Sequence, residues 1–96
     1  MDYLEVKQLA ESKGARVVEY THGQRIGSDD FDNSDSNFTR TPQANIYFDQ
    51  RQVCFTCQRS TGNWWKHVNC FHRNKARRTM TGNDWQSLAE TITKFQ

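Results

Sequence analysis

Arg51–Phe71, RQVCFTCQRSTGNWWKHVNCF, decides the fold. Val53, Phe55 and Cys57 fall on alternate positions, the period-two pattern of a strand with one face on a core. Ser60-Thr61-Gly62-Asn63 supplies a polar turn, and Trp64–Phe71 returns, with Val68 and Cys70 on the matching face. Read this way the stretch is a β-hairpin, and Cys54 faces away from Cys57. Trp65, His67, Asn69 and Phe71 then share the second face, with Arg59 and Arg73 at its ends. The adjacent Trp64 and Trp65 cannot both point inward from a strand, so one of them is presented to solvent or to a partner.

Outward from the hairpin, Asn45–Phe48 reads as a strand joined to Arg51–Gln58 by a tight Asp49–Gln50 turn. Arg16–Thr21 (RVVEYT) is β-branched and aromatic, hence another strand. Residues 2–13 have helical spacing at Tyr3, Val6, Leu9, Ala10 and Lys13, with Gly14 placed to stop the helix. A final helix starts at an Asn83 N-cap with Gln86 at N3, and Trp85, Leu88, Ala89, Ile92 and Phe95 make one apolar stripe. The expected fold is α+β: a small antiparallel sheet of three to four strands flanked by N- and C-terminal helices that share one face. Residues 1–96 read as one domain, with a mobile polar loop at about 22–43. Within that loop Asp29-Asp30-Phe31-Asp32-Asn33-Ser34-Asp35 lacks the central glycine and closing glutamate of a calcium loop. It reads as a solvated loop that would repel nucleic acid.

A second reading of residues 51–72 excludes the first. Cys54-x-x-Cys57 and His67-x-x-Cys70 give the spacing C-x2-C-x9-H-x2-C, two ligand pairs of the kind that hold tetrahedral zinc. The run Trp65-Lys66-His67-Val68-Asn69-Cys70-Phe71 resembles the W-x-H-x-x-C-F signature of poly(ADP-ribose) polymerase zinc fingers. More loosely, it is similar to LIM-type fingers. The resemblance implies one Zn2+ held by Cys54, Cys57, His67 and Cys70, a zinc-stabilised fold, and a DNA- or protein-binding role. It covers under a quarter of the chain, and the gap between ligand pairs is shorter than in the polymerase fingers. The hairpin and the finger are both carried forward.

Charge is unevenly distributed along the chain. Residues 1–49 hold nine carboxylates against five cations, whereas no carboxylate occurs from Arg51 to Gly82. That stretch interleaves Arg59, Lys66, Arg73, Lys75, Arg77 and Arg78 with Trp64, Trp65 and Phe71. Cations suit phosphates and flat rings suit bases, so these nine residues are the expected contact surface for DNA or RNA. The net charge of +2 falls well short of a committed DNA binder, so the same cations also fit a solvated face. No segment has the apolar length of a membrane span, and MDYLEVKQ lacks the basic head and apolar run of a signal peptide. With an odd cysteine count, this suggests a cytoplasmic, reducing location.

No nucleophile–base pair stands out, which argues against an enzyme. The expected function is a small nucleic-acid-binding or regulatory accessory protein; a free-standing polar chain of this size resembles those of phages and plasmids. The rival is a protein-interaction module or inhibitor that docks on a host enzyme, since Trp, Tyr and Arg also dominate protein hot spots.

Overall fold

The computed structural model describes residues 1–20, 42–72 and 74–95. The predicted loop at 22–43, apart from its last two residues, lies outside the described residues, as does Arg73. Helix α1 (Tyr3–Ser12) begins with a capping box in which Asp2 and Glu5 satisfy each other's backbone amides. It ends where Gly14 takes φ +90°, a conformation closed to most side chains. The chain continues as β1 (Arg16–Tyr20), β2 (Gln43–Phe48), a 3-10 turn (Asp49–Arg51), β3 (Val53–Gln58), β4 (Trp64–Val68), β5 (Arg77–Gly82) and α2 (Trp85–Lys94).

The sheet has five antiparallel strands in chain order, β1-β2-β3-β4-β5, where the sequence predicts three to four. The strand that sequence reading misses is β5, RRTMTG. It is exposed along most of its length and has no alternating apolar set, so nothing in its composition separates it from a solvated basic run. Several boundaries also move, and β2 starts at Gln43 rather than Asn45. The link from β2 to β3 is the 3-10 turn closed by Gln52 at φ +55°, so β3 starts at Val53 rather than Arg51. Helix α2 is capped by Asp84, whose Oδ1 accepts from the Ser87 amide at 2.6 Å, not by Asn83.

The two helices lie together on one face of the sheet, as predicted. Val6 and Ala10 of α1 and Leu88, Ala89 and Ile92 of α2 close over Ala44, Ile46, Val53, Phe55, Cys57 and Trp64. Full burial of each large apolar side chain here stabilises the fold by about 1.5–3 kcal/mol. The α2 stripe is therefore core, which follows from its helical spacing.

The other face of the central strands is also buried, but it is polar. Asn45, Tyr47, Cys54, Thr56 and His67 are all under 10 % exposed. Asn45 Nδ2 donates to Tyr47 Oη at 2.9 Å, and Cys54 Sγ lies 3.8 Å from Thr56 Oγ1. β4 stops at Val68 because Asn69 turns into the left-handed region at φ +55°. Val68 packs on the helix side as predicted, but this turn sends Cys70 to the opposite side, against Tyr47 and Cys54. Among the described residues, no helix is long and apolar enough to cross a membrane.

Candidate nucleic-acid interface

The eight predicted contact residues that the structure describes do not share one surface. Trp64 is core: it is 2 % exposed, packs on Phe55, and its indole Nε1 donates to Ser87 Oγ at 3.0 Å. Arg59 is a staple within the fold. Its guanidinium donates to the carbonyls of Gln43 (3.2 Å) and Tyr20 (2.9 Å), tying the β3–β4 turn to the adjoining ends of β1 and β2. It also lies 4.0 Å from Glu19. Neither residue is available to a ligand without loss of structure.

The other described members gather around β4, β5 and the segment between them. Trp65 is half-buried on the polar face, with the Arg78 guanidinium 5.2 Å from its ring centroid. This answers the question posed by the tryptophan pair: Trp64 points in and Trp65 out. Phe71 is 44 % exposed and stacks on Tyr47 at 5.9 Å, with 16° between planes. Lys75, Arg77 and Arg78 are exposed, and Lys66 is half-buried on the helix side, paired in register with Met80. His67, expected on a stacking face, is buried. Sequence reading missed Met80, exposed within the strand it did not find, and also Lys94 and Arg51, of which Arg51 meets Phe95 only in three dimensions. Arg51 opens the acid-free run, the one sequence sign that could have drawn attention to it.

Electrostatics separates the two ends of the sheet. The ion pairs of the described residues are Lys7–Glu19 (3.1 Å), Arg16–Asp49 (2.9 Å) and Arg59–Glu19 (4.0 Å). Hydrogen bonds from Tyr3 and Lys7 hold the Glu19 carboxyl below its ordinary pKa, and the Arg16 guanidinium does the same for Asp49. Glu19 and Asp49, the two carboxylates paired beside β1, are thus neutralised locally. Among the described residues, Arg51, Lys66, Lys75, Arg77, Arg78 and Lys94 enter no ion pair. Positive charge therefore accumulates on the β4–β5 side.

Cys54, Cys57, His67 and Cys70 do not all share one face of the sheet. Strand alternation puts Cys57 in the helix-side core, while Cys54 and Cys70 pack across the sheet from it. His67 is the cross-strand partner of Cys54. Among the described residues, no group of three or more His, Cys, Asp or Glu side chains is placed to hold a metal. A cage using all four predicted ligands would require Cys57 to cross the sheet, so this donor set does not fit a single zinc ion. Burial pushes the Cys57 thiol up to about 12, so it is a thiol, not a thiolate, at neutral pH. We expect Cys57 in native protein at pH 8 to resist a thiol reagent and to react only on unfolding. Protein purified without chelator is expected to carry less than one equivalent of zinc by elemental analysis. A fast-reacting Cys57, or one zinc per chain, would show that β3 does not hold the geometry described.

Comparison with protein-family models, curated proteins and solved structures gives no match to this chain. The class that fold and surface define is an α+β domain with a two-helix layer on a five-stranded meander and a basic outer strand.

Proposed function

We propose that the chain is a small, non-enzymatic nucleic-acid-binding accessory protein that engages a polyanion through Lys66, Lys75, Arg77 and Arg78. The observation that carries this reading is the run of cations along β5 and the segment before it, which no carboxylate neutralises among the described residues. Arg78 over Trp65 sets a ring beside those charges, and exposed Phe71 on its Tyr47 support offers a second, so that bases could pack while the cations hold phosphates.

Fluorescence anisotropy with single- and double-stranded DNA and RNA, repeated across salt concentrations, tests the reading. With about four phosphate contacts the log–log salt slope is expected near −3 to −4. Lys75→Glu, Arg77→Glu and Arg78→Glu together should weaken binding by about a hundredfold or more and flatten that slope. No binding to any of the four probes at low salt would remove the proposal. The outer edge of β5, which pairs with no strand among the described residues, favours one rival: an extended protein segment added to the sheet. Such a complex would be recognised by an affinity nearly independent of salt.

A further inference from the structure

On the helix side, a groove of about 500 Å3 runs between β4–β5 and α2, lined by Arg51, Lys66, Met80, Glu90, Lys94 and Phe95 among others. Phe95 forms its aromatic floor, wedged against Phe48 (4.8 Å) and Phe55 (5.8 Å). Two cations hang over that one ring: the Arg51 guanidinium carbon at 4.7 Å from its centroid and Lys66 Nζ at 5.3 Å. Their charges therefore lie within about 10 Å of each other, close to one Debye length at 0.1 M salt, where repulsion is only partly screened. Lys94, on the lining, adds a third positive charge. The one carboxylate of the lining, Glu90, accepts a hydrogen bond from Gln86 Nε2 at 3.3 Å and forms none of the described ion pairs. The hydroxyls are committed as well: Ser87 Oγ donates to the Asp84 carbonyl and Thr91 Oγ1 to the Ser87 carbonyl. The groove thus gathers three cations, Arg51, Lys66 and Lys94, against the single carboxylate of Glu90.

We infer that this groove binds a phosphate group, with Arg51 and Lys66 as its principal ligands and Lys94 completing the charge. A phosphate oxyanion placed between Arg51 and Lys66 would turn their mutual repulsion into two charge-assisted hydrogen bonds. Arg51 and Lys66 both approach the Phe95 ring, so recognition falls on the anion between them and not on a stacked base. The phosphate could come from a free monoester such as a mononucleotide or from a nucleic-acid backbone. The inference shares Lys66 with the β5 surface but rests on Arg51, Lys94 and the groove itself, which have no part in that reading.

The test is backbone amide NMR of the full chain, titrated at constant ionic strength with inorganic phosphate, adenosine monophosphate and a short oligonucleotide. Saturable shifts at Arg51, Lys66 and Phe95 with inorganic phosphate are expected. Arg51→Gln with Lys66→Gln should weaken that binding by about tenfold or more. Glu90→Gln, which removes the one acidic wall without touching the cations, should tighten it. Tighter binding of the monophosphate would identify a free ester as the source; tighter binding of the oligonucleotide, the backbone. Absence of saturable shifts, shifts confined to β5, or an unchanged affinity in the double variant would overturn the inference. Groove shifts with phosphate but no oligonucleotide binding would leave it standing and remove the nucleic-acid proposal instead.

Discussion

Trp64→Ala is expected to destabilise the domain by about 3–5 kcal/mol, measured by urea denaturation followed by circular dichroism. A domain of this size is stable by only about 5–15 kcal/mol, so much of the population would unfold under mild conditions. The effect is large because Trp64 contributes in two ways. Its ring fills the helix-side core against Phe55 at 6.2 Å, and its truncation would leave a void in a layer just one helix thick. Its indole N–H also joins β4 to α2 through Ser87 Oγ. Trp64→Phe separates the contributions: it keeps most of the volume and should lose nearer 1–2 kcal/mol. If Trp64→Ala changed the midpoint no more than a surface substitution would, the ring would not lie in the core, and the register of β4 would be wrong by one residue.

Gly82→Val is expected to destabilise by about 2–3 kcal/mol, in a direction that strand preference alone would not give. Gly82 is the last residue of β5 and the register partner of Trp64. A β-carbon built there would fall on Nε1, Cε2 and Cζ2 of the Trp64 indole. The ring cannot swing aside cheaply, since it is buried and tied to Ser87. In an open edge position the same change would stabilise the strand, because valine suits extended backbone better than glycine does. The sign of the shift therefore tests the contact. A double variant with Trp64→Leu should recover part of the Gly82→Val penalty, and strict additivity would show that the two residues do not touch.

Most of the architecture can be read from periodicity. The α2 stripe, the β3 alternation of Val53, Phe55 and Cys57, and the α1 stop at Gly14 each obey a rule that tertiary structure does not override. What escapes is β5. Its residues bury almost nothing, so the strand is defined by backbone pairing to β4 and leaves no apolar trace. The bulge between Lys66 and His67 further blurs any alternation shared by the two strands. The polar second face is illegible for the opposite reason: Asn45, Thr56 and His67 look like surface residues, yet they are buried. Of the predicted contact residues, Lys75, Arg77 and Arg78 are exposed, as their charge suggests. Arg59 and Trp64 are drawn inward by partners far away in the sequence, Tyr20, Gln43 and Ser87, which composition cannot foresee.

Because the strands are joined in chain order, the sheet can assemble by successive neighbour pairings, and one junction is unlike the rest. Four residues separate β2 from β3 and five separate β3 from β4, but twenty-two lie between Tyr20 and Gln43. By chain length alone, closing that span costs about 1.5 kcal/mol more than closing the shortest one. The largest loop-closure cost of the sheet therefore falls on the pairing of β1 with β2, and residues 43–95 contain every other β-pairing of the domain.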